Sequence, residues 1–209
     1  MEQFLLYLFD FDGTLFDTLP SSEYVFLKSY EHLGININVK DVINWTREPI
    51  PNSYARIGAP QERFAEFMDY VEHYVNSQES VNLTEIYPDT YDTILDLKMA
   101  EADVGIVTSN NASHVRDVLK KFDMQTGFFD VIVGNREAPT PKPKPEPILK
   151  ALELIKYHGD KKKVCYVGDS INDCLAAINA GIVPILLDRL DEYKESPYLR
   201  IKSLKELLD

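Results

Sequence analysis

At 209 residues, with 44% hydrophobic and 27% charged side chains, the chain has the composition of a globular protein that buries a sizeable core, as one domain with an insertion or as two small ones. Its formal net charge of −12 argues against nucleic-acid backbones and anionic membranes as partners; a small anionic substrate remains compatible wherever local cations overcome the global field. No apolar run reaches the length of a membrane span, and the N-terminal one, which lacks a basic leading segment and stops at Asp10, reads as neither a signal peptide nor a span.

That first run, Phe4-Leu5-Leu6-Tyr7-Leu8-Phe9, is a predicted buried strand. From about Asp17 to Leu83 the pattern is helical. Apolar residues recur at helical spacing in Tyr24, Phe26, Leu27, Tyr30 and Leu33, and again in Phe64, Phe67, Met68, Val71 and Val75. Gly34 stops the first helix, and Pro49, Pro51, Gly58 and Pro60 break up the middle. From Tyr87 the chain alternates. A helix from Pro88 to about Glu101 leads to the strand Val104–Val107, one from about Ala112 to Lys121 to Val131–Val133, one from about Glu146 to Tyr157 to Val164–Val167, and one from about Asn172 to Ala180 to Val183–Leu187. Near-continuous apolar strands between helices predict an α/β fold, a parallel sheet covered on both faces. The expected organisation is a core of residues 1–16 and 84–209, interrupted by a helical insertion of residues 17–83.

Chemistry-bearing residues collect where these strands end, which is where open α/β sheets bind ligands. Strand residues i and i+2 share a face, so Asp10 and Asp12 are able to face one spot. Two carboxylates about 4 Å apart repel by roughly 4 kcal/mol at an effective dielectric near 20. A shared proton, a basic partner or a metal ion must offset that. The second strand ends in Thr108-Ser109-Asn110-Asn111 before a helix, which suits an anion or simply caps the helix. After the third comes Pro139-Thr140-Pro141-Lys142-Pro143-Lys144-Pro145-Glu146-Pro147, which brings two lysines or serves as a polyproline spacer. The fourth ends in Gly168-Asp169-Ser170-Ile171-Asn172-Asp173, whose aspartates are metal ligands or a charge bias on the next helix. The two cysteines, Cys165 and Cys174, form no CxxC motif and read as reduced structural thiols of a cytoplasmic protein; the four histidines are scattered and carry no assigned chemistry.

Asp10-Phe11-Asp12-Gly13-Thr14, the strand ending in Thr108, Lys142-Pro143-Lys144-Pro145 and Gly168-Asp169-Ser170-Ile171-Asn172-Asp173 together resemble the four signature motifs of the haloacid dehalogenase-like hydrolase superfamily, in order and over essentially the whole chain. The insertion is similar to that superfamily's small helical cap, as in phosphoglycolate phosphatases and β-phosphoglucomutases. The resemblance implies a doubly wound, Rossmann-like core and a Mg²⁺-dependent phosphatase of a small phosphorylated metabolite, working through an aspartyl-phosphate. Asp10 is the implied nucleophile and Asp12 the general acid and base. Asp10, the Asp12 carbonyl and Asp169 are implied metal ligands, with Asp173 holding a metal-bound water or Lys142. Thr108 and Lys142 join the catalytic set, and Gly13, Ser109 and Asn110 the phosphate-binding one. Lys142 occupies the lysine position of the family's Lys-Pro-x-Pro pattern, and Lys144 is its rival. Dehalogenases of the superfamily lack the second aspartate, so Asp12 points away from carbon–halogen cleavage.

Specificity is expected from the cap, where Trp45-Thr46-Arg47-Glu48 resembles the loop in which the mutases carry a phosphate-binding arginine, making Arg47 a candidate substrate contact. The mutases also carry a histidine near the position of Ser22; none lies there, and nothing supports Lys28 as a phosphonatase-type Schiff-base lysine. The alternatives are a β-phosphoglucomutase-like mutase and, from a different class, a phospho-accepting signalling domain. Neither nucleic acid nor membrane is an expected partner, and the expected state is a monomer or weak homodimer.

Overall fold

A computed structural model of the chain describes residues 3–38, 50–125 and 127–208. The chain divides into two compact units, one of Met1–Phe16 with Ile86–Asp209 and one of Asp17–Glu85. Among the described residues, no helix is long and apolar enough to cross a membrane.

The first unit is built on a six-stranded sheet. Its strands are β1 (Leu6–Phe9), β4 (Asp103–Val107), β5 (Val131–Val133), β6 (Val164–Gly168), β7 (Val183–Leu187) and β8 (Leu199–Ile201). They lie in the order β5-β4-β1-β6-β7-β8, and every neighbouring pair is parallel. The order reverses beside β1, so the crevice such a reversal opens lies at the carboxyl end of the strand that carries the paired aspartates. Phe9 is in register with both Ile106 and Val167, which brings Asp10, Thr108 and Asp169 to one end of the sheet. Two-residue strands β2 (Phe16–Asp17) and β3 (Glu85–Ile86) pair separately, where the chain leaves this unit and returns.

Residues of one parity form a core with two helices. Leu6, Leu8, Val164 and Tyr166 pack with Ile148, Ala151 and Leu152 of a helix at Glu146–Leu154 and with Ala176, Ala177 and Ala180 of a helix at Ile171–Ala180. The other parity, Tyr7, Phe9, Cys165 and Val167, is equally buried, so both faces of the sheet are covered. Helices at Thr90–Met99 and Ala112–Lys121 complete the unit's longer helices among the described residues. In chain order the described helices of both units are α1 (Leu19–His32), α2 (Ile50–Arg56), α3 (Phe64–Val75), α4 (Gln78–Leu83), α5 (Thr90–Met99), α6 (Ala112–Lys121), α7 (Glu146–Leu154) and α8 (Ile171–Ala180).

The sequence extends α7 to Tyr157, but the helix stops at Leu154 because Lys156 turns to a φ of +54°. β8 and the 3₁₀ turn at Leu204–Leu208 lie beyond the last element the sequence predicts. The segment from Arg189 onward is tied to Asp89, at the start of the Thr90–Met99 helix, and to Thr14. Arg189 donates to both Asp89 oxygens (2.8 and 2.9 Å) and to the Thr14 carbonyl (3.0 Å), and lies over the Tyr87 ring. Asp89 also accepts from the Ser203 hydroxyl and the Leu204 N–H, both at 2.8 Å. Burial raises the Asp89 pKa, yet these donors outweigh it and hold the carboxyl below its ordinary range.

The second unit has an aromatic core of its own. Val25, Phe26, Tyr30 and Leu33 of the α1 stretch meet Phe67 and Val71 of α3, with Tyr54 of α2 filling the space beside them. The Tyr30 and Phe67 rings lie 4.5 Å apart and those of Tyr54 and Phe67 4.9 Å, separations at which tilted rings gain beyond their area burial.

Candidate active site

The backbone fixes the loop after β1. The Asp10 N–H extends the ladder to the Val167 carbonyl (2.9 Å), and the Gly13 N–H closes a turn on the Phe16 carbonyl (2.8 Å). Gly13 has a φ of +74°, and a Cβ there would stand 2.4 Å from Oδ2 of Asp169. The Asp169 carboxylate therefore lies against bare backbone, an approach that only glycine permits.

Asp10 and Asp12 sit in different surroundings. The Asp10 side chain contacts the Lys142 ammonium at 2.8 Å. The same ammonium lies 2.6 Å from Asp173 Oδ1 and donates to the Tyr166 hydroxyl at 3.1 Å. Asp12 instead accepts from the Thr108 hydroxyl (3.2 Å) and the Asn110 side-chain amide (3.4 Å). Thr108 in turn accepts from the Asn110 backbone N–H at 3.0 Å. The capping task at α6 falls to Asn111, whose side chain accepts from the Ser113 N–H at 3.1 Å. Thr108 is thus left for Asp12, while Ser109 is exposed.

On the far side, Ser170 caps α8 through a capping box, its hydroxyl and backbone N–H both bound to Asp173 Oδ2 (2.5 and 3.0 Å). Asp173 therefore spends one oxygen on the helix end and the other on Lys142. Gly168 makes room for this: a Cβ there would stand 2.4 Å from the Asp173 Cβ. The proline segment is a turn, closed by the Lys144 N–H on the Pro141 carbonyl at 3.2 Å, with a cis Lys142–Pro143 peptide. It turns Lys142 inward and leaves Lys144 exposed.

The charges do not balance. Four carboxylates, Asp10, Asp12, Asp169 and Asp173, lie here, and among the described residues Lys142 is the ammonium that meets them, at Asp10 and Asp173. Burial pushes the Asp10 carboxyl well above the usual range against the pull of Lys142, and the other carboxylates push it further. Burial, reinforced by Asp173, pushes Asp169 up to about 7. Lys142 is penalised by burial too, but Asp10 and Asp173 overrule this and hold its charge firmly. Ligand atoms of Asp10, Asp169 and Asp173 all lie within 4.8 Å of one another. An oxygen-only, carboxylate set short of positive charge fits a hard divalent cation such as Mg²⁺.

Of the residues singled out in the sequence, Asp10, Lys142, Asp169 and Asp173 thus converge, and Asp12 joins Thr108 and Asn110 beside them. Arg47 lies outside the described residues. Tyr166 and Ser170 carried no signal: a tyrosine inside an apolar strand reads as core, and a serine before a helix as a cap.

The family model for haloacid dehalogenase-like hydrolases matches residues 7–186, a span that includes all of these positions. The chain belongs to that family. It is 31% identical over 209 residues to the pyrophosphatase PpaX of Halalkalibacterium halodurans, covering 97% of this chain and 94% of the relative. It is 28% identical over 199 residues to the phosphoglycolate phosphatase of Mannheimia succiniciproducens, covering 88% and 85%. A haloacid dehalogenase-like family hydrolase of Streptococcus pneumoniae has the same fold, with a TM-score of 0.84 over 100% of this chain and 98% of that one at 22% identity.

Proposed function

We propose that this family phosphatase hydrolyses a small phosphorylated metabolite through a phosphoryl group carried on Asp10. The observation that carries the reading is the division of labour between two carboxylates on one strand end. Asp10 is packed against Lys142 and Asp173, whereas Asp12 is held by neutral donors on Thr108 and Asn110. A carboxylate oxygen of Asp10 attacks phosphorus as the bond to the leaving oxygen breaks, and Asp12 gives that oxygen a proton. Asp12 then takes a proton from water, whose oxygen attacks phosphorus and frees the Asp10 carboxylate. As substrate binds, the Thr108 hydroxyl turns its one hydrogen from Asp12 to a phosphate oxygen, the Ser109 N–H takes another, and Lys142 offsets their charge against that of Asp10. Asp10, Asp169 and the Asp12 carbonyl would hold Mg²⁺, which supplies charge neutralisation for the phosphoryl group and its alignment with Asp10.

The names of the relatives make inorganic pyrophosphate and phosphoglycolate the first substrates to compare. Turnover of p-nitrophenyl phosphate should vanish in EDTA, return with Mg²⁺, and drop to background in Asp10→Asn while the fold survives. Full turnover in EDTA or in Asp10→Asn would reject the assignment.

A further inference from the structure

Tyr166 has no part in that chemistry, yet it is fully buried within β6 with its hydroxyl beside Lys142. A phenol has one hydrogen to donate. That hydrogen goes to the Val107 carbonyl at 2.6 Å, so Tyr166 offers Lys142 only lone pairs. An ammonium has three N–H groups and accepts nothing. Those of Lys142 face three acceptors: Asp10 Oδ1 at 2.8 Å, Asp173 Oδ1 at 2.6 Å and the Tyr166 hydroxyl at 3.1 Å. Lysine is a point charge on a flexible stem, and a single ion pair fixes its distance without fixing its direction. Three acceptors fix the direction as well.

We propose that Tyr166 is a positioning residue: its hydroxyl, oriented as an acceptor by the Val107 carbonyl, takes one Lys142 N–H as Asp173 takes another, and the third is thereby aimed at Asp10. The inference rests on Asp10 being the nucleophile. Held in this way, the ammonium engages one oxygen of Asp10 and leaves the other to attack. Phenylalanine would fill the same space but strand a buried N–H without an acceptor, and the ammonium would turn to find one.

Tyr166→Phe should lower kcat on p-nitrophenyl phosphate about tenfold with KM within twofold, because the misalignment is felt as the Asp10–phosphorus bond forms. Ile148→Val, in the same core cluster, is the control for stability alone and should lower the melting temperature while keeping kcat. In urea unfolding, Tyr166→Phe should raise the unfolding constant about tenfold more on the wild-type background than on Lys142→Met, where the hydroxyl's bond to the Val107 carbonyl is lost but there is no ammonium to hold. A Tyr166→Phe kcat within twofold of wild type, or equal stability losses on both backgrounds, overturns the proposal. If Asp10→Asn retains turnover, the nucleophile assignment fails instead, and the unfolding comparison still decides whether Tyr166 holds Lys142.

Discussion

A methyl group at position 13 is the smallest change that should disable the site. With a φ of +74° and Asp169 Oδ2 standing 2.4 Å from where the Cβ would be, Gly13→Ala strains the turn and displaces a candidate metal ligand together. We expect kcat/KM to fall roughly a hundredfold, in line with the cost of an ångström-scale misplacement, and the Mg²⁺ concentration for half-activity to rise. A Mg²⁺ titration of the variant checks this; unchanged half-activity would separate Gly13 from the metal. Asp12→Asn should cost about 10²–10⁴-fold on alkyl phosphates and much less on p-nitrophenyl phosphate, whose leaving group needs little protonation. Equal losses on both would remove Asp12 from the acid role. Asp10 and Asp12 stand out in the sequence because a run of apolar residues rarely ends in two charges, but β1 stops at Phe9, so the strand's period of two does not reach them, and the two carboxylates meet different partners. The bonds from Thr108 and Asn110 to Asp12 were not legible, since they join residues nearly a hundred positions apart through side-chain rotamers that no local pattern encodes.

Among the elements, α8 links packing most directly to chemistry. Its capping box uses Asp173, the residue that also holds Lys142. Ser170→Ala removes both a cap and the hydroxyl partner of that carboxylate. It should cost about 0.5–2 kcal/mol of stability, read as a lower denaturation midpoint, together with a measurable fall in kcat. A stability loss without any change in kcat would show that the cap and Lys142 are independent. The parallel strands were visible as apolar runs bounded by turns, because burial on both faces leaves no room for polar alternation. β8 was not: it has three residues, follows a polar stretch, and pairs with β7 only from Ile185, one residue past Pro184. Strands β2 and β3 are shorter still and offer no period to read.

For the molecule as a whole, the crowding of carboxylates makes stability depend on pH and cation together. The folded pKa of Asp169, about 7, lies above its unfolded value near 4. Its contribution is therefore fully present below about pH 4 and is lost as pH rises through about 7. In EDTA, the melting temperature of the wild type should be lower at pH 8 than at pH 5.5, and the gap should narrow in Asp169→Asn. Mg²⁺ should close it at pH 8 by binding the folded form. Identical pH dependence in the two proteins would remove Asp169 as the cause. The change from helical to alternating patterning near Tyr87 lies beside the Glu85–Ile86 boundary between the two units. The Arg189–Asp89 tie was not legible, because its partners are 100 positions apart and each alone reads as an ordinary surface charge.

The place of β1 in the middle of the sheet also bears on how the protein is made. Its two neighbours pair Leu6 with Asp103 and with Val164. A ribosome adding about 5–20 residues per second exposes β1 roughly 8–30 s before β6 is available. Both edges of β1 are open until β4 is made and one edge stays open until β6 follows, while the helices of Asp17–Glu85 already have what they need to pack among themselves. Chains stalled before residue 103 should therefore carry a protease-resistant helical segment and an exposed N-terminal strand that holdase chaperones recognise, those stalled between β4 and β6 should keep one open edge, and the constellation around Asp10 should form only once synthesis passes Asp173.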